Sequence, residues 1–470
     1  MTSAIAAIRL IGGWLPIMVD LTAVGLLIGL AVWLVLPAPT ARARRRIAVA
    51  LGIGAVGGAV VGWLLTWFLS DQLNLFEVSL TPVSRSWILG AFAASGVAIV
   101  AFAQRGRARA ADAPTSDRPA PRRRALRRIL ASVAAVSALA AGALGVNADF
   151  GQYTTVGSLV DTAVAPPFPA RVLAEQLAGA PGAASVTSRH SSALWRTAAD
   201  IAVPGHGLVG AVTIPATVSK FPARGAYVYL PPAALVTHPV ALPVLIMMSG
   251  QPGSPANVIS SGQIAAVFDA FARAHGGLAP IVVAPDQLGA PARNPMCVNG
   301  TLGASETYLT VDVPNWIRTH LTVQAAPDAW AIGGFSQGGT CSIQLGSAHP
   351  ELFSAIVDIS GQFAPENGGL AQTTAIGFGG STAAYRAALP TVVMARHAPY
   401  RHTVAVFGVG ALDSRYGPFA ARMTAAARAS GMDATEAVSP GTGHDWHTVH
   451  WVFTHAMTPI FQQLGLVSPS

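Results

Sequence analysis

Ala329-Trp-Ala-Ile-Gly-Gly-Phe-Ser336-Gln-Gly-Gly-Thr-Cys-Ser-Ile-Gln-Leu345 reads as a strand, a sharp turn with a serine at its apex, and a helix. Gly334, Ser336 and Gly338 fit G-x-S-x-G, where small residues let the backbone turn tightly enough to hold a serine side chain out above a sheet. With Gly at 48 of 470 positions, a short match of this kind also arises by accident. The surroundings have to carry the reading.

From about Ser191 onward, β-rich runs alternate with helical ones, the pattern of an α/β fold with a mostly parallel central sheet and helices on both faces. Gly207–Pro215 and Gly225–Leu230 read as an opening antiparallel pair. Val240–Met248 and Pro280–Ala284 read as buried strands, and Ala329–Gly333, Phe353–Ile359 and Thr403–Val409 as the remaining central ones. Ile264–His275, Ser305–Leu321 (with Pro314 near its middle), Gln337–Ala348 and a closing stretch near His447–Leu464 read as helices.

A serine hydroxyl becomes a useful nucleophile only when a base takes its proton and a carboxylate orients that base. In α/β-hydrolases the chain order is serine, acid, histidine. His444 follows the Gly-rich loop Ser439-Pro-Gly-Thr-Gly and precedes the last helix, which is the place for the base. Asp413 comes three residues after the strand Thr403–Val409, at a carboxyl end where sites on open α/β sheets are built, and is the preferred acid. Asp358, inside the apolar run Ala355–Ile359, is the runner-up. Asp433 reads as a turn residue, and Asp286 as a loop aspartate that satisfies backbone groups or borders the cleft. His447 and His450 follow His444 at three-residue spacings, but no nearby carboxylate completes a metal site, and neither metal nor cofactor is expected. The oxyanion formed by attack on an ester needs two fixed N–H donors. Gln337, directly after the serine, supplies one, and Gln251, in the loop after Val240–Met248, the other.

The rest of the composition points to lipid. A chain with 52% hydrophobic and 11% charged residues and a mean hydropathy of +0.48 is not built like an ordinary soluble protein. Four apolar runs, 15–36, 47–69, 87–103 and 129–146, are each near the roughly 20 residues a helix needs to cross a bilayer core. The net charge of +8 resides in Arg clusters between them, at 42–46 and 105–128. From Asp149 onward there are 14 Arg or Lys against 16 Asp or Glu, so nucleic acid is excluded as a partner. The two Arg-rich loops belong on the cytoplasmic side, which places both the N-terminus and everything after residue 146 outside. The fourth run also has the look of a signal peptide, an alternative that would release the remainder by cleavage. The expected organisation is a membrane domain at 1–148, an Ala/Gly/Pro-rich linker at 149–188 with a candidate short helix at Ala170–Leu177, and an extracytoplasmic α/β-hydrolase domain at 189–470. In that exterior setting Cys297 and Cys341 are expected to form a disulfide, the alternative being two separate buried thiols.

The runs Ser305-Glu-Thr-Tyr-Leu-Thr-Val-Asp-Val-Pro314-Asn-Trp-Ile, Gly334-Phe-Ser336-Gln-Gly, His349-Pro-Glu-Leu-Phe353 and His444-Asp-Trp446 together resemble the esterase-D-like branch of the α/β-hydrolases. That branch includes the mycolyltransferases of mycolic-acid cell envelopes. The resemblance covers about Gly207 to Leu464 and leaves the four apolar runs outside. It implies Ser336 as nucleophile, His444 as base, Asp413 where the family often has Glu, and Gln251 and Gln337 at the oxyanion positions. The expected protein is a membrane-anchored serine esterase or acyltransferase that works through an acyl-enzyme on acyl esters, with lipids or glycolipids of the envelope as substrates. The other class of reading is a membrane assembly or transport module with a hydrolase-fold binding domain. Acyl chain, acceptor and oligomeric state are not readable from these residues.

Overall fold

The computed structural model describes residues 3–73, 78–104, 121–160, 164–179, 204–237 and 239–467. The chain divides into two units, Met1–Val156 and Gly157–Ser470.

The first unit holds four long helices: α1 (Trp14–Val35), α2 (Ala41–Thr66, continued by a π-helical turn Trp67–Gln72), α3 (Pro82–Ala103) and α4 (Pro121–Phe150). Each expected apolar run falls on one of them to within a residue. α2 and α3 begin ahead of their apolar stretches because polar residues start them well. The Thr40 hydroxyl accepts from the Ala43 N–H ahead of α2, and Thr81 does the same for Ser84 ahead of α3, where Pro82 opens the first turn. All four are long and apolar enough to cross a membrane. The 22 residues of α1 give a rod of about 33 Å, against about 30 Å of hydrocarbon core. Large apolar side chains face outward along them, Leu21 at 63%, Ile53 at 67% and Val136 at 67% exposure, a surface suited to lipid rather than water.

α3 packs against both α2 and α4, and α1 against α4. The α2–α3 contact is backbone on backbone. A Cβ added at Gly96 would run into the Gly54 carbonyl, and one at Gly58 into the Phe92 carbonyl. Small residues four apart on α2 thus let two helices approach where only van der Waals packing is available to join them.

The second unit is built on an eight-stranded sheet: β1 (Leu208–Val212), β2 (Ala226–Leu230), β3 (Val244–Met248), β4 (Ile281–Ala284), β5 (Trp330–Phe335), β6 (Ala355–Ile359), β7 (Val404–Gly410) and β8 (Asp433–Ser439). The spatial order is β1-β2-β4-β3-β5-β6-β7-β8, antiparallel for β1–β2 and β2–β4 and parallel elsewhere. This is the mostly parallel sheet expected from the sequence. β2 to β7 are buried at every residue, which is why their sequences run apolar without alternation. Each large side chain sealed there contributes about 1.5–3 kcal/mol. Because the chain goes from β3 to β4 on one side and returns to β5 on the other, the switch in strand order lies between β3 and β5. Ligand sites on such sheets form outside the strand ends at that point.

Three segments differ from the sequence reading. Residues 164–179, within the expected linker, belong to the second unit. Its helix α5 (Ala170–Gly179) is fastened through Gln176, whose side chain donates to the Ala234 carbonyl (2.7 Å) and accepts from the Thr322 N–H (3.1 Å). Residues 161–163 and 180–188 of that linker, and 105–120 of the second Arg-rich loop, lie outside the described residues. The expected helix Ser305–Leu321 is interrupted: a π-helical turn (Tyr308–Asp312) precedes α6 (Val313–His320), so Pro314 sits in a first turn where its missing N–H costs nothing. The closing helix is two, α7 (Trp446–His455) and α8 (Thr458–Gln463), with Pro459 in the first turn of the second.

Candidate active site

Ser336 stands between β5 and the helix Gln337–Ala348, hereafter the elbow helix, at the carboxyl end of the central strand pair β3/β5. Its backbone has φ +57° and ψ −117°, a strained conformation for a residue with a side chain. The turn is possible because both flanking glycines lie against backbone. A Cβ at Gly334 would strike the backbone of Gly338, and one at Gly338 would strike the carbonyls of Ser249 and Met248. The Ser336 N–H donates to the Ile359 carbonyl at 2.8 Å, fixing the apex to the next strand.

Two loops bring the other expected residues to this apex. After β7, the Ala411 and Leu412 N–H groups donate to the carbonyls of Ser439 and Thr442, each at 2.8 Å, so the loop carrying Asp413 is tied directly to the loop carrying His444. After β8, Asp445 caps α7: one carboxylate oxygen accepts from the Thr448 N–H (2.9 Å) and the other from the Gly443 N–H (2.6 Å), on either side of His444. The result is a continuous hydrogen-bonded line. Asp413 Oδ2 lies 3.0 Å from His444 Nδ1, and His444 Nε2 lies 2.8 Å from Ser336 Oγ. Asp413 Oδ1 accepts from the Tyr416 N–H (3.1 Å). With Nδ1–H given to the carboxylate, Nε2 is the basic nitrogen and faces the hydroxyl. Asp413 and His444 are both buried, while Ser336 is partly exposed. Aromatic rings hold the imidazole from two sides, Tyr416 at 4.3 Å and Phe335 at 5.0 Å between centroids.

The oxyanion candidates flank the same point. Gln337 opens the elbow helix, where backbone N–H groups have no acceptor within the helix. The Ser249-Gly250-Gln251 loop follows β3, and a Cβ built on Gly250 would lie 3.3 Å from that of Ser336. The Gln251 side chain turns to the Ala292 carbonyl (3.1 Å). The expected disulfide Cys297–Cys341 is present, with Cα atoms 5.6 Å apart, and it meets the Gln337 side chain, whose Nε2 is 3.2 Å from Cys341 Sγ.

The remaining candidates sit elsewhere. Asp358 is on β6 beneath the elbow helix, packed on Gly339 and Gly361; burial pushes its carboxyl up to about 7, opposed by the Gly361 N–H. Asp286 is fully buried and structural: it accepts from the Arg224 guanidinium (2.8 and 2.9 Å) and from the N–H groups of Arg224, Leu288 and Gly289. Asp433 opens β8. His447 and His450 lie on the exposed side of α7, and burial, with His447 and His455 nearby, lowers the His450 imidazole. Sequence reasoning did not reach Tyr416, Phe335, Asp445 or Gln287. Asp445 had a signal, an aspartate three residues ahead of Thr448 at a helix start; the others depend on contacts between distant segments.

The Esterase family model matches residues 223–464, just over half of the chain, and the chain belongs to that family. An uncharacterized protein of Corynebacterium glutamicum is 36% identical over 265 residues, which is 56% of this chain and 58% of the relative's length. Similar solved structures include a ferulic acid esterase, 18% identical over 55% of this chain and 99% of the other, with a TM-score of 0.46. An S-formylglutathione hydrolase from Agrobacterium tumefaciens is 18% identical over 57% and 98%, with a TM-score of 0.46. MPT51 (FbpC1) of Mycobacterium tuberculosis is 17% identical over 53% and 96%, with a TM-score of 0.40.

Proposed function

We propose that this protein is a membrane-anchored serine esterase or acyltransferase whose catalytic unit faces the outside of the cell. The observation that carries the reading is the line Asp413–His444–Ser336, at 3.0 and 2.8 Å, assembled from three loops at the strand ends. Ser336 Oγ attacks the ester carbonyl and its proton passes to His444 Nε2. Asp413 keeps Nδ1–H oriented and offsets the positive charge of the imidazolium. The N–H groups of Gln251 and Gln337 hold the oxyanion. Collapse breaks the ester C–O bond, and the leaving alkoxide takes the proton from Nε2, leaving an acyl-enzyme. Water or a hydroxyl acceptor then gives its proton to Nε2 and attacks the acyl carbon; Ser336 leaves and recovers the proton. Four apolar helices in the same chain support a lipid or glycolipid ester as the acyl donor. The test is labelling of membranes with a fluorophosphonate, which phosphonylates an activated serine. Wild type is expected to label, and Ser336→Ala and His444→Ala are not. A folded, unlabelled wild type would leave the binding-module reading in its place.

A further inference from the structure

Gln287 is fully buried, and its side-chain amide lies between the two segments that carry the oxyanion donors. Nε2 donates to the Ser249 carbonyl at 2.6 Å and to Gln337 Oε1 at 3.0 Å. Ser249 begins the loop that carries Gln251. Gln337 is the first residue of the elbow helix. Both amide hydrogens of one side chain are therefore spent on the two halves of a single small site.

We infer that Gln287 is a positioning residue that fixes the distance between the Gln251 and Gln337 backbone donors. The inference rests on the serine-hydrolase reading above. Four further contacts make the bridge a rigid part rather than a loose link. The Ser305 hydroxyl donates to the Gln287 carbonyl at 3.1 Å. The preceding residue, Asp286, is locked by Arg224. On the far side, Gln337 Nε2 is held by Asn294 Oδ1 at 3.2 Å and by the sulfur of Cys341 at 3.2 Å, so the Gln337 side chain cannot follow if Gln287 is lost without leaving those partners. Oxyanion stabilisation depends on donors fixed in advance at about 2.7–3.1 Å from the developing charge, and misplacement by about 1 Å costs on the order of 100-fold in rate. A side chain that touches neither substrate nor nucleophile can thus control the rate of acylation.

The test follows the phosphonylation of Ser336 by a fluorophosphonate in the full-length protein, separating the maximal rate of labelling from the probe's affinity. Gln287→Met keeps the shape and removes both donors; Gln287→Glu keeps the size and presents acceptors to two acceptors. Both are expected to lower the maximal rate by about 10- to 100-fold with affinity changed less than about twofold, because the oxyanion forms only during the reaction. Gln337→Met removes the other end of the bridge while leaving the backbone donor, and its loss should fail to add to that of Gln287→Met if the two side chains act as one unit. Unchanged labelling rates in folded Gln287 variants, a change in affinity alone, or additive losses in the double variant would each overturn the inference. If the Gln287 variants do not fold, an unchanged rate in Gln337→Met overturns it alone and a 10- to 100-fold loss supports it. Labelling that persists in Ser336→Ala, or a wild type that does not label, would instead overturn the reading on which it rests.

Discussion

At the scale of single residues, the site contrasts two buried aspartates. Asp413 has its two oxygens occupied by the His444 ring and the Tyr416 N–H. Asp358 is sealed between Gly339 and Gly361, where burial disfavours the charge and raises the carboxyl from 3.8 to about 7. A group whose folded value is raised in this way holds its proton more tightly in the native protein than in the unfolded chain. Its contribution to stability is therefore complete below about pH 4 and is lost as pH rises towards 7. Asp358→Asn, which keeps the neutral shape at every pH, is expected to gain melting temperature over wild type as pH rises from about 4 to about 8, with most of the gain between the two values. Thermal unfolding across that range checks it, and a pH-independent difference would show that the carboxyl is not held neutral.

At the scale of elements, the elbow helix is where most of the site's constraints meet. It carries Gln337, Cys341 and the Gly338 and Gly339 contacts, and the disulfide ties it to a loop 44 residues earlier in sequence. In the chain-entropy picture, closing a loop of that length removes about 4 kcal/mol of freedom from the unfolded state. The Cys297→Ala, Cys341→Ala double variant is accordingly expected to unfold at a temperature lower by several degrees, in the same way as wild type treated with reductant. Its labelling by a fluorophosphonate should also slow, since Gln337 Nε2 loses a neighbour at 3.2 Å. Calorimetry with and without reductant separates the two effects, and an unaltered melting temperature would remove the disulfide from the stability of the unit.

How much of this was legible in the sequence follows from the range of the interactions. Strands β3 to β7 and the elbow could be read because continuous apolar runs and a Gly-x-Ser-x-Gly turn are local signals. The order serine, acid, histidine placed Asp413 and His444 after strands whose ends then met. The π-helical turn before Pro314 was hidden because periodicity alone does not separate one extra residue per turn from an α-helix. The helix Gly417–Ala429 passed unread because its small residues give little apolar stripe, although its buried face packs on β7 and β8. Residues 164–179 looked like a linker because their attachment is made by Gln176 to partners 58 and 146 positions away. Gln287 was invisible for the same reason.

At the scale of the whole molecule, the distribution of charge predicts on which side of the membrane the proposed catalytic unit stands. The stretch joining the apolar parts of α1 and α2 carries Arg42, Arg44, Arg45 and Arg46 at the start of α2, and the one joining the apolar parts of α3 and α4 carries another cluster that reaches Arg128 in α4. The stretch joining the apolar parts of α2 and α3 has Asp71, Glu77 and Arg85, of which Asp71 and Arg85 pair at 2.6 Å and offset each other. Cationic loops favour the cytoplasmic side, so the proposed orientation, with the segment after α4 outside, is a prediction of the arginine distribution. A tag after Leu466 is expected to be accessible to a membrane-impermeant label in intact cells, and the protein to stay with the membrane through an alkaline wash. Replacing the Arg residues of both loops by Gln, while adding Arg between α2 and α3, should reduce that accessibility because the bias that sets orientation is reversed. Accessibility unchanged by the charge swap would mean that the folded second unit, rather than the arginines, determines the topology. A tag inaccessible in the unaltered protein would place the Ser336 site on the cytoplasmic side and redirect the search for its substrate to acyl esters made inside the cell.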